Sequence, residues 1–368
     1  MIIMKKNWSH YHNSSILGIS ILNLKSKEKK ILICYTNTGE LLFLDFFGNL
    51  IQHKSITDKK AIHCVKVLDI NNDGYQEIVI GGVDGILRVF TVKDDLSLEQ
   101  LWTHTFDLSI SGIILEDINS DGHLDIIAFS LDRTLRIFNI GGELLWAQMF
   151  EKGIGDAIIW IDDKTKKKQI FAVGNDGTLR GYDGKSGELL WFKIFNNKLR
   201  CVSIINTNEK PILVCGGDDK ILYFIEFDNH EILKTQTFSD YVWKCKSYPK
   251  FSLENLLISS YSFNFFNNSK SLTEIRFSSK LLCLNKNLEV KWELEETNIE
   301  YFCFFQRKNL MLIGIGTTKG DLILINEKDG KIIMNTNEKS CINMVQYIPN
   351  EDILIGCSDN GQIFAYSL

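Results

Sequence analysis

The chain has 368 residues, 45% hydrophobic and 24% charged, which is enough apolar material for a sizeable buried core. Its formal net charge of −5 excludes the basic surplus of a typical nucleic-acid binder. No apolar run approaches the roughly 18 residues of a membrane span.

The N-terminal segment, "MIIMKKNWSHYHNSS", lacks the apolar core of a secretion signal, so a cytoplasmic location is expected. Nine cysteines (34, 64, 201, 215, 245, 283, 303, 341 and 357) form no CxxC pair and sit mostly in apolar runs such as "ILICYT" and "ILVCGG". That pattern predicts buried reduced thiols rather than disulfides or a zinc site. With only three prolines and no Gly/Ser-rich linker, residues 1–368 read as a single domain.

In chain order, eight apolar hairpins follow one another: "ILICYTNTGELLFL" from Ile31, "EIVIGGVDGILRVF" from Glu77, "DIIAFSLDRTLRIF" from Asp125 and "QIFAVGNDGTLRGY" from Gln169. Then come "PILVCGGDDKILYF" from Pro211, "NLLISSYSFNFF…KLLCL" from Asn255, "LMLIGIGTTKGDLILI" from Leu310 and "DILIGCSDNGQIFAY" from Asp352. Each turns at a short loop, most often with Gly or Asp, as a β-hairpin does. A further strand precedes most of them ("HCVKVLD", "SGIILED", "DAIIWID"). A fourth, often carrying tryptophan, follows most of them ("EQLWTHTF", "GELLWAQMF", "GELLWFKIF", "LEVKWELE"). Four strands in a WD40-like unit of about 42–57 residues are the signature of a propeller blade. The predicted fold is therefore an all-β, eight-bladed propeller of four-stranded antiparallel blades.

The last unit stops at "QIFAYSL", one strand short, while "MKKNWSHYH" around Trp8 repeats the polar alternation of "EQLWTHTF". The N-terminal strand is thus expected to complete the last blade and close the ring. The tryptophans at 102, 146, 191 and 292 are expected to pack between blades.

Two acidic loops stand out, "DINNDGYQE" from Asp69 and "DINSDGHLD" from Asp117. The first offers Asp69, Asn71, Asp73, the Tyr75 carbonyl and Glu77; the second offers Asp117, Asn119, Asp121, the His123 carbonyl and Asp125. Oxygens at positions 1, 3, 5, 7 and 9 around a glycine bend suit calcium, which takes six to eight such ligands. The same residues also read as Asx-turns that cap local amides without an ion. The pattern resembles the DxDxDGxxD loops of FG-GAP blades in integrin α-chain propellers, and that resemblance implies structural calcium between the first and second strands of blades two and three. Asn at the third position and Glu77 in the first loop depart from it. In blade four "DDKTKKKQ", with Lys164, Lys166, Lys167 and Lys168, takes the loop's place.

Residues 175–195, "NDGTLRGYDGKSGELLWFKIF", resemble the repeat of PQQ-like propellers, a largely eight-bladed family whose enzymes use a quinone and calcium. The adjacent cysteines usual in those enzymes are missing. No GxSxG, HExxH, phosphate loop or GxGxxG motif occurs, and the seven histidines share no ligand spacing. No catalytic residue is assigned. The repeat breaks most clearly at 262–280, where Phe263, Phe265 and Phe266 form a candidate partner-binding cluster, because exposed aromatics anchor protein interfaces. The leading expectation is a non-catalytic scaffold for protein partners, a subunit of a larger complex. A PQQ-like or sugar-handling enzyme and an extracellular adhesion propeller are the alternatives.

Overall fold

The computed structural model describes residues 4–25, 29–162, 164–206, 210–247, 256–261, 279–295 and 298–368. Among these, eight four-stranded antiparallel sheets succeed one another along the chain. Blades one to seven span 16–55, 62–105, 110–149, 154–194, 199–237, 241–295 and 299–337. Blade eight is 342–367 completed by Lys5–Tyr11. This is the expected eight-bladed propeller, closed by the N-terminal strand. That strand lies antiparallel to Gln362–Ser367, pairing Lys5 with Ser367 and Tyr11 with Gln362.

Burial follows strand position. The second strands are almost wholly buried, Glu77–Gly82 and Asp125–Ser130 at every residue, because neighbouring blades cover both faces. Outer strands such as Leu189–Ile194 alternate between exposed and half-buried residues, as edges with one covered face do. Six of the nine cysteines are buried and the other three half-buried; all are unpaired.

Blades are joined by a repeated contact. The outer-strand tryptophan of one blade donates its indole N–H to a carbonyl in the turn between the third and fourth strands of the next. Trp8 reaches Phe46 (2.8 Å), Trp102 reaches Ile140 (2.8 Å), Trp146 reaches Gly184 (2.9 Å) and Trp292 reaches Glu327 (2.7 Å). The ring then lies on a turn glycine with positive φ. A Cβ on Gly187 (φ +72°) would stand 2.5 Å from the Trp146 ring, and one on Gly48 (φ +85°) 2.5 Å from Trp8. These glycines need both the left-handed backbone and the missing side chain. Blade five uses His230 at this position instead, with φ 61°, and Trp191 stacks on the imidazole at 4.0 Å. The contact between Trp8 and Phe46 fastens the closing strand of blade eight to blade one, beside the short link at 12–15 that connects the two.

Every first strand carries a register shift after its first or second residue. The unpaired residue is Leu17, His63, Ser111, Gly155, Arg200, Trp243, Glu300 or Asn343 in blades one to eight. A bulge re-aims its extra residue. Here it falls where the strands line the central lumen, and its identity changes from blade to blade.

Candidate functional site: paired acidic loops and the lumen

The two acidic loops lie where the sequence placed them, between the first and second strands of blades two and three. They are adjacent in space: Asn72 Nδ2 donates to the Gly122 carbonyl (3.2 Å), and the Leu124 amide to the Ile70 carbonyl (3.4 Å). Asn72 and Ser120 take positive φ in equivalent positions, so the two loops share a backbone course.

Their side chains form one repeated network. Asp69 Oδ2 accepts from the Gly74 amide (2.9 Å), Asn71 Oδ1 from Asp73 (2.9 Å) and Asp73 Oδ1 from Tyr75 (2.7 Å). In the second loop Asp117 Oδ2 accepts from Gly122 (3.1 Å), Asn119 Oδ1 from Asp121 (2.8 Å) and Asp121 Oδ1 from His123 (2.8 Å). The closing carboxylates are buried. Glu77 accepts from the Ile70 amide and Thr91 Oγ1, and Asp125 from the Ile118 amide. Burial pushes the carboxyl of Glu77 above its ordinary range and that of Asp125 up to about 6. The negative charges of Asp73 and Asp69, or of Asp121 and Asp117, add to this, while the amide hydrogen bonds oppose it.

The donor chemistry suits a hard cation. Asp69 Oδ1 is also buried without a hydrogen-bond partner. The remaining oxygens are nevertheless turned onto the loop's own amides. Among the described residues no three His, Cys, Asp or Glu side chains converge closely enough to hold an ion. Each loop is also met by a lysine. Lys25 Nζ donates to the Asp73 carbonyl and lies 4.3 Å from the centre of the Tyr75 ring. Lys168, from the basic run of blade four, donates to the Asp117 carbonyl and pairs with Glu116 (3.1 Å). Part of that run therefore serves the second loop rather than standing free in solvent.

Phe263, Phe265 and Phe266 lie outside the described residues. The insertion is bracketed by strands Leu256–Tyr261 and Ser279–Leu284, the second and third of blade six. A different apolar surface went unremarked in the sequence. On the outer strand of blade four, Leu190, Phe192 and Ile194 are 45%, 57% and 69% exposed. The positions equivalent to Phe192 and Ile194 are mostly polar elsewhere, for example Thr103 and Thr105, Glu293 and Glu295, or Asn335 and Asn337. Apolar residues at five of the six positions of "LLWFKI", on an outer strand, were the signal for it.

The inner strands enclose two cavities along the axis. One, of about 910 Å³, is lined by blades three to six and includes Asp156, Arg200, Trp243, Lys244 and Lys246. The other, of about 1030 Å³, is lined by blades one, two, seven and eight and includes His63, Lys66 and Tyr301. None of these lysines drew notice in the sequence, since each is an ordinary residue of its own strand.

Comparison with known proteins gives partial matches to two families. Residues 12–140 match the model of "KICSTOR complex protein kaptin", and residues 126–262 that of "Lambda-carrageenase beta-propeller domain". No curated protein matches the chain. Similar solved structures include Sqt1 of Saccharomyces cerevisiae, at TM-score 0.77 and 11% identity over 99% of both chains. The computationally designed Ika8 protein has TM-score 0.72 and 12% identity over 97% of this chain and 98% of that one. BamB of Moraxella catarrhalis has TM-score 0.65 and 15% identity over 100% of this chain and 98% of that one. At such identities these likenesses establish a shared propeller fold and nothing finer.

Proposed function

We propose that the chain is a non-catalytic propeller scaffold that contributes to a larger protein assembly. The match of residues 12–140 to a family described as a complex subunit carries this reading. Two features agree with it: the repeat departs from regularity in loops and edges, and the outer face of blade four exposes Leu190, Phe192 and Ile194. Affinity purification of the full chain and of a 262–280 deletion tests it. A defined stoichiometric partner that the deletion loses would also identify Phe263, Phe265 and Phe266 as its surface. Purification as a lone monomer from its own cells would refute the scaffold reading. Residues 1–368 are proposed to act as one domain inside the cell. No described helix is long and apolar enough to cross a membrane.

We further propose that the two acidic loops are structural calcium staples of the FG-GAP kind rather than sensors. Asp69, Asn71, Asp73, the Tyr75 carbonyl and Glu77 would hold one ion, and Asp117, Asn119, Asp121, the His123 carbonyl and Asp125 the other. The unpartnered Asp69 Oδ1 and the mutual repulsion of the loop carboxylates support this. Bound calcium would offset the repulsion among those carboxylates. A melting temperature that 1 mM calcium and then chelator leave unchanged would dismiss the staple. A second reading, a sugar-handling propeller, draws on the carrageenase-type match over 126–262. It requires activity on a polysaccharide or, in its PQQ-like form, quinone binding; absence of both would remove it.

A further inference from the structure

Most charges on the first strands are neutralised where they stand. Glu116 pairs with Lys168, Arg200 with Asp218, and Arg307 with Asp352. The first strands of blades one and eight contribute no charged residue to the lumen. What remains inside is Lys66 from blade two, Asp156 from blade four, Lys244 and Lys246 from blade six, and Glu300 from blade seven. His63 also faces this space.

The three lysines border the two lumen cavities, Lys244 and Lys246 the first and Lys66 the second. Blades two and six are opposite each other in an eight-bladed ring, yet the Lys66 charge acts on Lys246 across the axis, as does that of Lys244 from the same strand. Among the described residues no carboxylate lies within ion-pair distance of any of the three. Lys244 Nζ donates only to the Glu300 carbonyl (3.0 Å). The Lys244 and Lys246 ammonium groups both flank the Tyr301 ring, at 5.5 and 5.2 Å from its centre. Asp156 acts on both but is itself occupied by the Val202 and Ala157 amides (3.2 and 3.0 Å). Burial pushes both lysines of blade six below the ordinary lysine range; for Lys246 the Lys244 and Lys66 charges add to this, while for Lys244 the Glu300 and Asp156 carboxylates oppose it.

Like charges held together inside a cavity with room for a ligand are a cost to the folded chain unless an opposite charge joins them. We propose that the lumen between blades two, six and seven binds a compact multivalent anion, held by the ammonium groups of Lys66, Lys244 and Lys246. Three ammonium groups suit the clustered oxygens of a phosphate-bearing or polycarboxylate ligand, because Lys acts as a point charge with rotatable donors. The site uses none of the acidic-loop side chains and does not depend on their occupancy.

Calorimetric titration of the full chain with inorganic pyrophosphate, and separately with citrate, at low and high salt tests this. One anion is expected to bind per chain, more weakly as salt rises, with a melting-temperature increase of about 2–4 °C at saturation. Tighter pyrophosphate binding assigns a phosphate ligand, and tighter citrate binding a polycarboxylate. Lys246→Met and Lys66→Met should each weaken binding about tenfold or more. Each should also raise the melting temperature of the anion-free protein by about 1–3 °C, since repulsion is relieved. Lys166→Met with Lys167→Met, on the outer loop of blade four, should change neither. Absence of one-to-one binding of either anion up to 1 mM, unaltered binding in both lumen variants, or destabilisation by both in the absence of anion would each overturn the proposal.

Discussion

Replacing Trp8 with alanine tests how the closing strand is held against blade one. Trp8 donates to the Phe46 carbonyl at 2.8 Å and lies on Gly48, whose missing side chain makes room for the ring. Truncating a tryptophan in such packing costs about 3–5 kcal/mol, of which the hydrogen bond accounts for about 1 kcal/mol. Unfolding entropy scales with length, so in 368 residues each kcal/mol moves the midpoint by about 1–2 °C. Trp8→Ala should therefore lower the melting temperature by about 4–8 °C, and Trp8→Phe by about half of that. Removing residues 1–12 should do more. It strips the backbone partner from Gln362–Ser367 and exposes a strand in which Ile363, Phe364 and Ala365 are fully buried. Differential scanning calorimetry and limited proteolysis measure both effects. A Trp8→Ala melt within about 1 °C of wild type, or a truncated chain that resists protease equally well, would refute the reasoning.

Gly187→Ala should cost about 2–4 kcal/mol, because it combines left-handed strain with a 2.5 Å approach to Trp146; equilibrium urea unfolding reads this directly. Burial pushes the carboxyls of Asp125 and Asp156 up to about 6, so the folded chain holds protons there that the unfolded chain releases near pH 4. Their contribution is thus greatest below about pH 4 and is lost as pH rises through about 6. Asp125→Asn should flatten that slope in urea melts run between pH 4 and 7. It should stabilise the chelated protein at pH 7 by about 1–2 kcal/mol and abolish any calcium response. In a thiol-labelling time course, Cys34, Cys201, Cys215, Cys245, Cys283 and Cys357, all buried, should react only after denaturant is added.

The propeller was legible because its signals are local. Each hairpin announces itself through an apolar run, a tight turn and another apolar run, and the tryptophans at 102, 146 and 292 recur at matching places. The partner of each indole was not legible, since it lies in the turn of the following blade. His230 gave no hint that it replaces a glycine. The first strand of blade one, Ile16–Asn23, has neither an acidic loop nor a tryptophan beside it to draw the eye. The eight bulges escaped notice because a one-residue slip leaves composition unchanged, although it determines which side chain each blade aims at the axis. Lys66, Lys244 and Lys246 are far apart in the chain and become neighbours only when the ring closes. The two acidic loops, by contrast, carry their whole pattern within nine positions, so their location was fixed in advance while the orientation of each oxygen was not.

Joining Lys5 to Ser367 gives the molecule a timetable as well as a shape. During synthesis the earliest segment must wait, unpaired, until the final strand has left the ribosome. Such a distant pairing is entropically slow to form, so ring completion should be the last event of folding. Until then, two adjoining edges at the gap stay open to solvent and to other chains. Crowded or overexpressed material would thus be expected to fail there first, by exchanging its leading strand with a neighbour.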